Sequence, residues 1–350
     1  MIKKRISNFI LSKIDIDKTK KIFGEVPFLK YFYKWGSQSL IDYTYPTHLY
    51  IETTRACNLA CTCCPRELKP GQKGHMEMDI FKKIVDEATT YGIKNFCLHM
   101  LGEPLLHPKI TEMVQYIKDS NAHHAILLTT NGSFLDEKKI KSFFESGLDK
   151  ITISMFTLVG EKSVKLVGKN DIERVIQNLK KAVEIKKEKK ATTRLTVRVI
   201  VSDDNKEEIK AFRTLTSDLG IHLELRFTHN YSGVIQDNFM DKHAVERLRH
   251  RYPCYHLFYS PSVTWDGKIV MCCTDWNYSE ILGDVRETTV AKAWQDKRMK
   301  ELRDHHFSGE YDKIPLCAKC NVWSTYPDIF FEHQKNKTKG IQKSLETRSL

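Results

Sequence analysis

The chain of 350 residues is 41% hydrophobic and 29% charged, with 56 Lys and Arg against 44 Asp and Glu, a formal charge of +12. That apolar content suits a large globular core, while sparse Gly (16) and Pro (10) and the lack of a fixed period exclude collagen-like, repeat and disordered classes. No window approaches the roughly 18 apolar residues of a membrane span.

In chain order, residues 1–46 read as a basic leader. Ile2, Ile6, Phe9, Ile10 and Ile14 recur near helical spacing, with Lys3, Lys4, Arg5 and Lys13 between them. Such a helix packs on its own domain more often than on a membrane surface, so the first reading is preferred. No small-residue cleavage site follows it. The positive excess is spread out and rich in Lys, without interleaved aromatics, so a solvated surface is expected and no nucleic-acid partner.

From residue 47 strands and helices alternate. Strands are predicted at His48–Thr53, Asn95–Leu101, Ala125–Thr130, Lys150–Met155, Arg194–Val201 and His222–Phe227. The helices between them are Met78–Tyr91, Pro108–Lys118, Asp136–Glu145, Ile172–Lys189 and Lys206–Leu219. In the first helix Ile80, Phe81, Ile84, Val85 and Ala88 line one face, and Gly92 ends it. The strands are β-branched and nearly continuous in apolar residues, as in a parallel sheet covered by helices. Six such units leave open a doubly wound sheet or an incomplete barrel. In both, the loops at the carboxyl ends of the strands carry the site.

Near residue 228 the alternation stops. Ser262–Thr264 and Lys268–Met271, joined by Trp265-Asp266-Gly267, are predicted as a β-hairpin, and Val290–Leu302 as a helix. Apolar periodicity is weak here, and a metal centre is expected to help hold this part together. The tail after Glu332 is Lys-rich and expected to be disordered.

Ten cysteines are many for a reducing compartment, but their clustering suits metal ligation better than disulfides, and a cytoplasmic location is expected. Cys57, Cys61 and Cys64 follow the first strand in the pattern Cys-x3-Cys-x2-Cys. Three thiolates from one loop supply three of the four terminal positions of a four-iron cluster and leave the fourth open to a chelating molecule. The competing reading is a zinc knuckle completed by Cys63 or a distant His. The loop resembles that of the radical S-adenosylmethionine superfamily over roughly residues 47–230, in which the amino-acid end of S-adenosylmethionine completes the cluster. Leu101-Gly102-Glu103-Pro104 matches the family's turn near the cofactor's ammonium. Asn131 of Thr130-Asn131-Gly132 and Ser154 match polar positions at the ends of the third and fourth strands, used for its ribose and carboxylate. The resemblance thus implies an α/β fold, an incomplete (β/α)6 TIM-like barrel over 47–230, with Gly102, Glu103, Asn131 and Ser154 at the cofactor. Two positions depart from the pattern: Leu101 replaces a Gly, and Cys63 stands where the family has an aromatic residue against the adenine.

Cys254, Gly267, Cys272, Cys317 and Cys320 give Cys-x12-Gly-x4-Cys and a later Cys-x2-Cys. Four thiolates can close a zinc site or cap every iron of a cluster. Behind such a barrel, this set resembles a shortened, twitch-like SPASM domain. That implies a small cysteine-rich α+β domain over 231–331, ahead of the 332–350 tail, with one auxiliary [4Fe–4S] cluster on Cys254, Cys272, Cys317 and Cys320. Cys97, in mid-strand, and Cys273, beside a ligand, are read as structural.

The resemblance implies reductive cleavage of S-adenosylmethionine to a 5′-deoxyadenosyl radical, which takes a hydrogen atom from substrate. An auxiliary cluster as electron acceptor favours oxidation of an alcohol in a small sugar- or cyclitol-like molecule. The alternatives are a peptide- or protein-modifying enzyme with the same cofactors and a non-catalytic zinc-binding protein. The leader is shorter than the leader-binding domain of peptide-tailoring relatives, and the positive balance admits a phosphorylated substrate. A reducing partner such as flavodoxin or ferredoxin is expected. Glu224, Arg226 and His229, along or just past the sixth strand, are the candidates for deprotonating a substrate radical, against the alternative of a structural ion pair.

Overall fold

A computed structural model describes residues 43–68, 73–227, 229–235 and 251–325. The expectations for the leader helix and for the tail lie outside the described residues.

Six parallel strands form the first part: β1 His48–Ile51, β2 Asn95–Cys97, β3 Ala125–Thr130, β4 Lys150–Met155, β5 Arg194–Ile200 and β6 His222–Arg226. They lie in sequence order, each bonded to the next, and helices join them. These are α1 Met78–Thr90, α2 Ile110–Ser120, α3 Glu137–Glu145, α4 Gly160–Val167, α5 Ile172–Glu188 and α6 Ile209–Leu219. The predicted partial barrel is therefore present. Its side chains sort by the two-residue period of a strand. Ile126, Leu128, Ile151, Ile153, Leu195 and Val197 turn outward into a core shared with Phe81, Ile84, Val114, Phe143 and Phe212 of the helices. The intervening residues, including Lys150, Ser154, Arg198 and Glu224, share the opposite face.

Several boundaries differ from the sequence reading for local reasons. Asp136 lies just before α3 and caps it, its side chain accepting from Lys139 N at 2.8 Å. The helix predicted over Val290–Leu302 is two helices, α8 Val290–Gln295 and α9 Lys297–Ser308, after α7 His256–Tyr259. Asp296 between them has ψ 156°, and its carboxylate caps α9 at Arg298 N (2.8 Å). Helix α4 has no counterpart in the sequence reading.

The C-terminal part continues the same sheet. Strand β7, Ser262–Val263, runs parallel to β1, with Tyr50 opposite Ser262. Strands β8 Lys268–Val270 and β9 Ile281–Asp284 extend it in antiparallel fashion, giving the order β6-β5-β4-β3-β2-β1-β7-β8-β9. The expected hairpin is there, but it is hydrogen-bonded to the barrel's first strand. This part also holds a second core, with Trp294, Trp323, Phe258 and Leu302 at no more than 1% exposure. Apolar periodicity is weak here because the elements are short, yet their apolar residues still gather into this core. Among the described residues, no helix is long and apolar enough to cross a membrane.

Candidate active site

The chain leaves β1 without reaching solvent. Glu52, Thr53, Thr54 and Arg55 are at most 2% exposed, and only then does the cysteine loop begin. Thr54 Oγ1 donates to Gly74 O (2.8 Å) and accepts from Ala56 N (3.0 Å), fixing the entry to Cys57. The far side of the loop is held by α4: Ala60 N and Thr62 N donate to Val167 O (3.0 Å) and Leu166 O (2.9 Å), carbonyls that a helix C-terminus leaves free. Gly168, with φ 77°, ends α4 beside Ala60. Cys57, Cys61 and Cys64 are partly exposed, whereas Cys63 is buried in an apolar cluster with Leu166, Val167 and Ile235.

Burial pushes the thiols of Cys57, Cys61 and Cys64 up; for Cys61 the sulfurs of Cys63, Cys64 and Cys57 add to it. Such crowding of soft donors in one loop suits a group with several metal ions, whose positive charge would favour thiolates. Among the described residues, no three His, Cys, Asp or Glu side chains are gathered as for a single metal ion.

The turn after β2 braces this loop. Gly102 passes so close that a Cβ would lie 1.9 Å from Thr54 O. Glycine is required there by the cysteine loop's own backbone. Glu103, 2% exposed, donates from its backbone N to Ala56 O (2.8 Å). Its carboxylate accepts from Thr130 Oγ1 (2.6 Å), Asn131 N (2.7 Å) and Leu105 N (3.0 Å). Burial raises its pKa against these bonds. Asn131 reaches the cysteine loop through Nδ2, which donates to Asn58 Oδ1 at 2.8 Å. Glu103 and Asn131 thus tie the ends of β2 and β3 to the loop, and Ser154 lies at the end of β4 on the inner face.

The inner face of β4–β6 is strongly polar. Glu224, 7% exposed, meets Arg226 Nε at 2.6 Å, Arg198 Nη2 at 3.3 Å and Lys150 Nζ at 3.7 Å. Burial would raise its pKa, but Arg198, Arg226 and Lys150 outweigh that and hold it at about 2. His229 lies near the same cations: burial, then Arg226 and Arg198, lower it to about 4, and its buried Nδ1 has no partner among the described residues. Tyr231, for which no sequence motif speaks, has its ring 6.4 Å from that of His229. Its hydroxyl is pushed up by burial and then by the thiols of Cys64, Cys63, Cys273 and Cys61. Its φ of 44° carries no sequence signal.

Cys254, Cys272, Cys317 and Cys320 line one small cavity together with Arg251 and Trp323. Burial raises all four thiols, Cys272 to about 12. Cys273 is outside that lining, its sulfur 3.8 Å from His256 Nε2. Cys97 is 4% exposed in mid-sheet. The segment after Cys273 returns to the first cysteine loop. Arg55 Nη2 donates to Trp276 O (2.6 Å), its guanidinium lies 4.4 Å from the Tyr278 ring centroid, and Tyr278 donates to Glu52.

Residues 51–215 match the family model of the radical SAM superfamily, and residues 254–321 that of the iron-sulfur cluster-binding SPASM domain. The chain is 25% identical over 315 residues to the tungsten-containing aldehyde ferredoxin oxidoreductase cofactor-modifying protein of Pyrococcus furiosus, spanning 79% of this chain and 87% of that one. It is 31% identical over 213 residues to GTP 3′,8-cyclase of Chlorobaculum tepidum, spanning 59% of this chain and 62%, under two thirds, of that one. Among solved structures it resembles Streptococcus suis SuiB bound to precursor peptide SuiA, with TM-score 0.62, 14% identity and 80% and 71% of the two chains covered. It also resembles BtrN in complex with AdoMet and 2-DOIA, with TM-score 0.56, 19% identity and 79% and 93% covered. At these identities the structural likeness is one of fold.

Proposed function

From a chain that belongs to the radical SAM superfamily and carries a C-terminal SPASM domain, we propose an enzyme that oxidises an alcohol of a small sugar- or cyclitol-like molecule. The two domains imply [4Fe–4S] clusters and S-adenosylmethionine. When bound, these groups supply hydrogen-atom abstraction from an unactivated C–H at one end and one-electron acceptance at the other. In this reading Cys57, Cys61 and Cys64 ligate the first cluster, and Cys254, Cys272, Cys317 and Cys320 hold one auxiliary cluster.

The observation that carries the reading is the inequality of the two sulfur sets. Three partly exposed thiols follow a barrel strand, where they would leave one iron of a cluster open; four line a cavity, where they would leave none. Gly102, Glu103 and Asn131 keep the three-sulfur loop in place, and Ser154 offers its hydroxyl to the cofactor. Tyr231 supplies the aromatic face that Cys63 lacks. Of the three candidates along or just past β6, His229 is neutral and its buried Nδ1 has no partner among the described residues, so it takes the proton. Glu224 and Arg226 hold each other and orient the substrate. A flavodoxin or ferredoxin supplies electrons.

The small-molecule reading is supported by the names of two relatives: the Pyrococcus furiosus protein modifies a cofactor, and the Chlorobaculum tepidum enzyme acts on GTP. The test is anaerobic turnover with deuterated cyclitols and sugars, read by mass spectrometry. Deuterium in 5′-deoxyadenosine together with a ketone product supports the proposal. Label arriving only from a peptide overturns the small-molecule reading, and bound zinc without S-adenosylmethionine cleavage overturns the enzyme.

A further inference from the structure

Among the described residues, the inner face of β4–β6 carries more positive charge than it neutralises. The register places Ser154 opposite Arg198 and Arg198 opposite Glu224, one row across three strands. Arg226 stands one inward position beyond that row, and Lys150, two inward positions before it, reaches Glu224 with its Nζ at 3.7 Å. Among the described residues three cations therefore meet one carboxylate, which leaves an excess of two positive charges. An exposed charge surplus is ordinary, but Lys150 is 14% exposed and Glu224 8% as side chains, so solvent screens this group poorly. Each arginine gives Glu224 a single nitrogen, although a guanidinium offers five N–H donors in a rigid fork. Arg198 Nε is buried with no partner among the described residues, and so is Nδ1 of His99, whose Nε2 lies 3.5 Å from Thr129. The guanidinium groups remain reachable, at 25% side-chain exposure for Arg198 and 37% for Arg226.

We propose that Lys150, Arg198 and Arg226 bind the phosphate of a phosphorylated substrate, beside Ser154 and within the barrel. This rests on the small-molecule reading and deepens it. A phosphomonoester carries about −1.5 to −2 at pH 7, which matches the excess; a carboxylate neutralises only half of it. Glu224 is then a positioning residue. It draws the two guanidinium groups together and aims their free edges at the phosphate oxygens.

The experiment is isothermal titration calorimetry on the anaerobically reconstituted holoenzyme saturated with S-adenosylmethionine. The probes are inorganic phosphate, glucose 6-phosphate against glucose, and GMP against guanosine. Phosphate is expected to bind saturably, and at least one phosphorylated compound to bind tenfold or more tighter than its parent. Which pair responds separates a sugar phosphate from a nucleotide. R198Q/R226Q is expected to weaken phosphate at least tenfold, and E224Q, which removes a competing anion, to tighten it. Absence of phosphate binding alongside S-adenosylmethionine overturns the proposal. So does an R198Q/R226Q variant that loses affinity for S-adenosylmethionine instead, which assigns the cations to the cofactor's carboxylate. Should circular dichroism show the double variant unfolded, the wild-type pairs and E224Q decide. Deuterium transfer from an unphosphorylated cyclitol, with no phosphate bound, sinks this inference and leaves the alcohol oxidation standing.

Discussion

Arg55 and Glu52 are both 0% exposed and lie 3.6 Å apart. Burial pushes the Glu52 pKa up; Arg55 and the Tyr278 hydroxyl oppose that. Removing one member of such a pair strands the other charge, which costs about 3–5 kcal/mol, more than the pair itself contributes. Arg55→Met is therefore expected to lose stability of that order in urea titration, and Glu52→Gln added to it to restore part of the loss. A single variant within about 1 kcal/mol of wild type would show that the pair carries no such strain. Nothing in the sequence near Arg55 points to Trp276, 221 positions away. Glu224 was more legible, since alternation along β6 turns it away from Leu223 and Leu225. Its three cations come from strand register, which local pattern does not give. Because those cations hold the folded pKa at about 2, below the unfolded value of about 4.5, Glu224 stabilises the fold above pH 4.5. That contribution, about 3 kcal/mol, disappears as pH falls from 4.5 through 2. Denaturant midpoints should fall more steeply over that window for wild type than for Glu224→Gln; parallel curves would contradict the assignment.

At the scale of elements, the cysteine loop is held between two supports of unequal legibility. The Leu101-Gly102-Glu103-Pro104 turn was readable from its residues and place in the chain. The reason for its glycine was not: the neighbour a Cβ would strike is Thr54 O, a backbone atom of the loop itself. Gly102→Val should displace the loop. Iron is expected to fall from about eight to about four per chain, with the auxiliary cluster's absorbance kept. Iron at the wild-type level would show that the loop tolerates the shift. The second support, α4, is hidden because one glycine, Gly160, opens it and another, Gly168, closes it, so the segment reads as a connection. Asp296 was hidden for another reason: buried apolar residues recur on both sides of it, at Val290, Ala293 and Trp294 and again at Met299 and Leu302, so the pattern runs through the break.

At the scale of the molecule, the six-strand rhythm and both cysteine sets stand in the sequence, because strand and helix periods are local and cysteine spacing is explicit. The joining of the two parts is not there. Strand β7 contributes only two residues, and its pairing with β1 depends on a partner more than 200 positions earlier. This joint, with Arg55 and Tyr278 beside it, sets the two cysteine sets within one framework, and the sets should still fill independently. Cys317→Ala is expected to halve the iron while the barrel's cluster still cleaves S-adenosylmethionine. Loss of all iron would mean that the second centre is needed to fold the first.

The most direct measurement is 5′-deoxyadenosine released by the anaerobically reconstituted protein after reduction with dithionite in the presence of S-adenosylmethionine, for wild type and Cys57→Ala side by side. The three-thiol loop predicts release from wild type and none from Cys57→Ala, which should retain about half the iron. Iron-loaded wild type that releases no 5′-deoxyadenosine, or a Cys57→Ala protein that releases as much, would contradict it.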